Sequence, residues 1–208
     1  MTYPFRSPGV SFPNERPADR FFFVTLKAIK RMTSPWEKYK HLWHLTDLPA
    51  RSLLFREGDI PQKIYLIKQG AARAWFNHGD KDICFHFFFE GDVIYASESI
   101  RKKAPGLFSV ETLEPSRIYW IGAADLEKIR QDAPVYNLIL DKVVERQSEF
   151  MRHFFTFLKD SPQQRYEDLL KNKPEIVRRV PLQYIASYLG ITQVSLSRIR
   201  ARHTRNGI

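Results

Sequence analysis

A change in the hydrophobic pattern near Ile121 constrains the fold of this chain more than any other feature of its sequence. Before that residue, short runs of β-branched and aromatic residues alternate with turn residues, which predicts β-strands. After it, the pattern is helical. Short strands at this spacing are typical of a sandwich or a jelly roll. The predicted strands are Ser52–Phe55, Lys63–Ile67, Ala72–Phe76, Ile83–Phe89, Asp92–Tyr95, Phe108–Leu113 and Arg117–Ile121.

Two segments have the sequence of a helix N-terminus. Ser34–Glu37 has the form of a capping box with proline at the first helical position, and it predicts a short helix that continues through Lys40 to His44. Ser161–Gln164 repeats this pattern and predicts another helix. Residues 1–33 show no clear period, so we expect a poorly ordered leader or a misassigned translation start there.

One apolar stripe runs through the helical segment between Pro134 and Lys159. Its members follow one another at alternating steps of four and three residues, which is the heptad spacing of a coiled-coil seam. A helix of about 24 residues would reach roughly 36 Å, which is longer than packing on a small barrel requires. We therefore favour a homodimer over a helix packed only on its own barrel. The predicted seam is Tyr136, Leu140, Val143, Gln147, Phe150, Phe154 and Phe157.

Positive charge is concentrated at the carboxy-terminal end of the chain. The 208 residues include 33 Lys and Arg against 23 Asp and Glu, which gives a net charge of +10. A charge of this sign favours an anionic partner, with a solvated basic tail as the alternative. Residues 176–208 contain no acidic residue, and their arginines are Arg178, Arg179, Arg198, Arg200, Arg202 and Arg205.

The segment Pro181–Ile199 meets the requirements of a helix-turn-helix. Ala186 supplies the small residue where the two helices cross, and Gly190 supplies the bend, where a positive φ is cheap only for glycine. Thr192 is a suitable N-cap for the second helix. The apolar residues at the offsets that hold one helix on the other are Ile185, Leu189, Ile191, Leu196 and Ile199.

The outward residues of the predicted second helix favour DNA over a helical hairpin of the core. They are polar or basic, and side chains of these types bind base edges and phosphates. We therefore predict double-stranded DNA as a partner; a dimeric interaction module that binds no DNA is the alternative. The outward residues are Gln193, Ser195, Ser197, Arg198, Arg200 and Arg202.

A strand-rich domain, a long seam helix and a terminal helix-turn-helix, in this order, resemble the Crp–Fnr superfamily of bacterial transcription regulators. The resemblance covers residues 36–203 approximately. The segments that carry it are Phe55–Asp59, Ile64–Gly70, Phe88–Asp92, Ile185–Thr192 and Leu196–Arg200, the last two being similar to a branch common in Bacteroidetes-like bacteria.

The resemblance implies an α+β fold with three parts after the leader. These are a cyclic-nucleotide-binding-like jelly roll at residues 34–133, a dimerisation helix at 134–159 and a winged-helix-like domain at 160–208. Because the chain stops at Ile208, we expect the wing to be reduced or absent.

The resemblance also implies a non-enzymatic transcription regulator that acts as a homodimer and contacts RNA polymerase. Its second helices would enter successive major grooves of a pseudo-palindromic site, with half-sites roughly 34 Å apart. Gln193, Val194 and Arg198 then align with the base-reading face. The residues expected at phosphates are Thr192, Ser197, Arg200 and Arg202.

The nucleotide pocket of this family depends on a Gly-Glu pair for the ribose and on Arg followed by Ser or Thr for the cyclic phosphate. The corresponding places hold Tyr95 and Ala96 for the first pair, and Gly106 and Leu107 for the second. A buried phosphate needs a paired cation. We therefore expect no binding of cyclic AMP or cyclic GMP in the usual manner, predict no cofactor, and leave the effector unassigned.

A jelly roll is also compatible with a metal-dependent cupin enzyme. Cys84, His86 and Glu90 have a ligand-like spacing, but a second histidine motif has no counterpart in the sequence. As the single cysteine, Cys84 excludes an internal disulfide and a cluster held by several thiolates. No stretch approaches roughly 18 consecutive apolar residues, so we expect a cytoplasmic protein without a membrane span.

Overall fold

The computed structural model describes residues 35–205, and the predicted leader lies outside this range. A 3₁₀ helix at Pro35–Leu42 precedes the first strand. The strands are β1 His44–Leu48, β2 Leu53–Phe55, β3 Lys63–Gln69, β4 Ala72–His78, β5 Lys81–Phe88, β6 Val93–Ile94, β7 Ser109–Thr112 and β8 Ser116–Gly122. The helices are α1 Ser97–Lys102, α2 Ala123–Arg130, α3 Ala133–Lys159, α4 Pro162–Asn172, α5 Pro174–Arg179, α6 Leu182–Tyr188 and α7 Gln193–Arg205.

The strands form two antiparallel sheets, with the orders β1-β8-β3-β6 and β2-β7-β4-β5. Apolar side chains from both sheets fill the space between them, as alternation along each strand requires. This interior cluster consists of Phe55, Tyr65, Ile67, Ala72, Ala74, Phe88, Ile94, Ala96, Val110 and Ile118. The predicted fold class is confirmed, because an antiparallel β domain is followed by helices.

The first strand, β1, was not predicted from the sequence. The expected helix through Lys40 to His44 is a 3₁₀ helix that ends at Leu42, and His44 already pairs with Trp120 of β8. The rings of His44 and Trp120 stack at 4.3 Å, and Trp120 Nε1 donates to Thr46 Oγ1 at 3.1 Å. These partners lie more than seventy residues apart, so local sequence carries little sign of the strand.

The long helix α3 turns one of its apolar stripes towards the jelly roll. Val135, Ile139 and Val143 are buried there, in a cluster with Ile64 of β3 and Ile121 of β8. Val143 is only 7% exposed, so its assignment to an accessible dimer seam is wrong. Ile64 and Ile121 lie in the β1-β8-β3-β6 sheet, and this stripe of α3 packs against them.

The other predicted seam residues are divided between the two sides of α3. Tyr136 is half-buried against the same cluster, so it too faces the molecule's own core. The Phe150 ring packs edge-on against Phe85 at 5.7 Å. Phe150 and Phe157 of the predicted seam nevertheless remain 43% and 38% exposed. A second stripe at heptad spacing, called here the accessible stripe, shares three residues with the predicted seam and consists of Leu140, which is half-buried, and the exposed Val144, Gln147, Met151, Phe154 and Leu158.

Candidate nucleic-acid interface

The connection between α6 and α7 is a tight bend. Gly190 has a φ of +67°, which residues with a side chain rarely adopt. The Ile191 amide donates to the Ala186 carbonyl at 3.0 Å and closes the end of α6. Thr192 Oγ1 accepts a hydrogen bond from the Ser195 amide at 3.1 Å and caps the N-terminus of α7. The bend is therefore stabilised by the positive φ of Gly190 and by hydrogen bonds between residues close to it in the chain.

The packing residues expected from the sequence join α6 and α7 to their neighbours. They share one apolar cluster with Tyr166 of α4 and Ile176 of α5. In that cluster, the residues from the predicted motif are Ile185, Ala186, Leu189 and Leu196, which are buried, and Ile191 and Ile199, which are half-buried. One side of α7 is thus held against the domain.

The opposite side of α7 is exposed. Gln193, Ser197 and Arg200 follow one another at helical spacing, so their side chains lie in one row. This helix contains no carboxylate, and its exposed amide and guanidinium groups suit base edges and phosphates. The exposed residues predicted to contact DNA are Thr192, Gln193, Val194, Ser197, Arg198, Arg200 and Arg202.

The end of α3 holds the bend from its other side. The rings of His153 and Tyr188 stack at 3.9 Å, and His153 Nε2 lies 3.1 Å from the Tyr188 carbonyl oxygen. Burial lowers the pKa of His153 to about 4, so a neutral ring donates this bond at pH 7. Arg165 of α4 donates to the Leu189 carbonyl at 3.0 Å. Sequence reasoning missed His153 and Arg165, because their partners are 35 and 24 residues away.

Arg73 of β4 joins the jelly roll to the helix-turn-helix. Its guanidinium lies between the rings of Trp75 and Tyr184, with ring-centre distances of 4.2 and 3.9 Å. Only 4% of Arg73 is exposed, and ion pairs with Asp82 at 2.9 Å and Glu111 at 2.7 Å balance its charge. A buried cation needs such partners. This contact therefore fixes α6 on the surface of the β2-β7-β4-β5 sheet.

Two further contacts hold the same interface. Ser187 Oγ accepts a hydrogen bond from the Cys84 amide at 2.9 Å. Arg179 of α5 donates two hydrogen bonds to Glu90, at 2.7 and 2.8 Å, and also pairs with Glu114. Burial by itself raises the pKa of Glu90, but the hydrogen bonds from Arg179 and a backbone amide outweigh it and hold the pKa below its ordinary value.

Three of the four positions that correspond to the nucleotide pocket are buried. Tyr95 and Ala96 are buried, and Arg146 of α3 donates to the Tyr95 carbonyl at 3.0 Å. Gly106 is buried, whereas Leu107 is 74% exposed. None of these four positions carries a charged side chain that would pair with a cyclic phosphate or hold a ribose hydroxyl.

The three side chains of the cupin alternative do not converge. Cys84 packs towards α6, where burial raises the pKa of its thiol to about 12. The His86 ring packs edge-on against Phe88 at 4.6 Å, and Glu90 is engaged by Arg179. Within residues 35–205, no group of three or more His, Cys, Asp or Glu side chains has the geometry to hold a metal ion.

Comparisons with known proteins identify the β domain and the fold. Residues 45–133 match the family model of the cyclic nucleotide-binding domain. One similar structure is CLP of Xanthomonas campestris, described as a c-di-GMP-responsive global regulator. It is 18% identical with a TM-score of 0.68, and the match covers 82% of this chain and 91% of that one. A comparison with curated proteins finds no significant match.

Two other solved structures share the arrangement. FixK2 of Bradyrhizobium japonicum is 18% identical with a TM-score of 0.69, and the match covers 80% of this chain and 86% of that one. A CooA variant of Carboxydothermus hydrogenoformans is 15% identical with a TM-score of 0.68, over 88% of this chain and 85% of that one. In the described part of the chain, no helix is both long and apolar enough to cross a bilayer. Residues 45–133 therefore match the cyclic nucleotide-binding domain, and the fold of the chain as a whole is similar to that of these solved structures.

Proposed function

We propose that this protein is a sequence-specific DNA-binding transcription regulator rather than an enzyme. The observation that carries the proposal is the division of α7 into a buried apolar side and an exposed side with arginines, amides and no carboxylate. A helix of the core would bury both sides. The exposed side suits the major groove, which is wide enough for an α-helix.

The residues of α7 have different proposed roles. Gln193, Val194 and Arg198 read bases: an arginine chelates guanine O6 and N7, and a glutamine pairs with an adenine edge. The remaining polar residues hold the helix in register on the backbone without reading sequence. These phosphate-contacting residues are Thr192, Ser197, Arg200 and Arg202.

The regulator acts as a homodimer that pairs through the accessible stripe of α3. A row of large apolar side chains along one helix is unusual on a free surface and marks an interaction site. Gln147 within the row suits a residue that sets the register of two helices. The exposed apolar members of this stripe are Val144, Met151, Phe154 and Leu158. The dimer presents two α7 helices to a pseudo-palindromic site, and family resemblance makes RNA polymerase a further partner.

The regulator does not bind cyclic AMP or cyclic GMP in the usual manner. This proposal rests on Tyr95, Ala96, Gly106 and Leu107, which supply neither the carboxylate nor the guanidinium that such a ligand needs. Two proteins of similar fold are known for different signals, c-di-GMP for CLP and carbon monoxide for CooA, so the fold does not dictate one effector.

Selection of bound duplexes from a random pool tests the proposal. We expect purified protein to enrich a two-fold symmetric site with half-sites roughly 34 Å apart. Affinity for that site should fall steeply as salt rises, because bound phosphates release their counterions. Enrichment of no sequence at low ionic strength would contradict the proposed function. Calorimetry with cyclic AMP and cyclic GMP should show no saturable heat.

A further inference from the structure

The turn before β2 holds Arg51 in an unusual backbone conformation. Its φ is +63°, and the only other non-glycine residue with a positive φ in the described range is Lys103. Such conformations are sparsely populated, persist only where the surroundings impose them, and are concentrated at functional sites. Arg51 is exposed, so packing of its side chain does not explain the conformation.

Hydrogen bonds to the end of β7 impose this conformation. The Arg51 amide donates to the Thr112 carbonyl at 2.8 Å. The Ser52 amide donates to Thr112 Oγ1 at 2.9 Å, and that hydroxyl donates to the Pro49 carbonyl at 2.8 Å. Thr112 is fully buried. These hydrogen bonds fix the backbone of the turn, and therefore the point from which the Arg51 side chain leaves it.

That place is beside the N-terminus of α7. Arg51 and Gln193 line the same groove, of about 320 Å³, between the jelly roll and the helix-turn-helix. The acid in this groove, Glu111, is neutralised by Arg73 at 2.7 Å. Among residues 35–205 no acidic side chain forms an ion pair with Arg51, so the groove offers this cation and neutral amides to an anion that passes α7, with little repulsion from the sheet beneath.

We propose that Arg51 contacts a DNA phosphate, so that the DNA interface extends from the helix-turn-helix onto the jelly roll. This inference rests on the proposed function. A duplex seated on Gln193 and Arg198 passes over the groove mouth, and its backbone meets the guanidinium there. The contact is to the backbone, so it adds affinity without reading sequence.

The test measures the salt dependence of binding to the selected duplex by fluorescence anisotropy. Lys103→Ala is a matched control, because Lys103 is also exposed, cationic and at positive φ, but it ends helix α1 and does not line this groove. Arg51→Ala should reduce the slope of log Kd against log salt by about 0.9 for each arginine that meets a phosphate. Lys103→Ala should leave the slope unchanged, and Arg51→Lys should restore most of it.

The outcomes separate this inference from the proposed function. If the unmodified protein prefers no duplex, the proposed function fails. If it binds its site and Arg51→Ala keeps the full slope, the phosphate contact is overturned, and a small-molecule occupant of the groove becomes the better explanation. A changed base preference in Arg51→Ala would also overturn it, because a backbone contact weakens all sequences alike. Equal thermal melting of the variants excludes misfolding as the cause.

Discussion

The ring of Phe157, at the end of α3, lies directly over Gly190 in the bend of the helix-turn-helix. A Cβ atom at position 190 would come within 2.5 Å of Phe157 Cε1, which is closer than real contacts allow. The helix that carries the proposed dimer stripe therefore also touches the turn that sets the direction of α7. If two α3 helices pair as proposed, a movement between them would reach α7 through this contact.

Gly190→Ala should destabilise the protein by two effects, a positive φ and a steric overlap. The left-handed conformation costs a side-chain-bearing residue roughly 1–2 kcal/mol, and the overlap with Phe157 adds to it. Gly79→Ala is the control, because Gly79 has a φ of +60° with nothing within 4 Å of an added Cβ. Urea denaturation should show the larger loss for Gly190→Ala. An equal decrease in the free energy of unfolding of the two variants would show that the Phe157 ring moves aside without destabilising the protein.

Arg198→Ala should relax base preference and weaken binding of the preferred site by about 1–3 kcal/mol, because a bidentate contact to guanine is lost. Arg200→Ala, which removes the same charge from a proposed phosphate contact, should weaken all duplexes alike. Competition between the selected site and single-base variants measures the difference. An unchanged base ranking in Arg198→Ala would remove this residue from the reading role.

Met151→Lys should convert the protein to monomers, because it places a charge in the accessible stripe of α3. Val143→Ala should leave association unchanged and instead lower the free energy of unfolding by about 2 kcal/mol, because Val143 is buried in its own chain. Analytical ultracentrifugation and urea denaturation separate the two effects. If Val143→Ala were monomeric and Met151→Lys dimeric, the dimer would pair through the seam predicted from the sequence rather than through the accessible stripe.

Acid should destabilise the junction between α3 and the helix-turn-helix through His153. Its folded-state pKa, about 4, lies below the ordinary value of 6.5, so the unfolded chain binds more protons between these pH values and stability falls as pH falls. The loss between pH 7 and pH 5 should be about 2 kcal/mol.

His153→Gln keeps a donor for the Tyr188 carbonyl but does not titrate, so it serves as the reference. The measured quantity is the difference in pH dependence between the two proteins, because burial also raises the pKa of Asp92 to about 6 and this acts in the opposite direction. Parallel stability curves for the two proteins across this pH range would show that His153 protonates without penalty.

Sequence reasoning was most informative where structure depends on neighbours in the chain. Gly190 and Thr192 follow local rules for a bend and a helix cap, and both stand at such positions. The Ser161–Gln164 capping box is also present, with both of its reciprocal hydrogen bonds. Strands β2 to β8 are close to the predicted segments because alternation and turn residues are local signals as well.

The sequence by itself determined that strands precede a long helix and that a helix-turn-helix follows, because periodicity and turn chemistry act within a few residues. Only the tertiary structure decided which stripe of α3 is free, since Val143 and Val144 are equally apolar and the sheet beneath selects one of them for burial. It also brought Arg51 beside Gln193, 142 residues along the chain. Such distant pairings depend on the packing of whole elements, which no local pattern specifies.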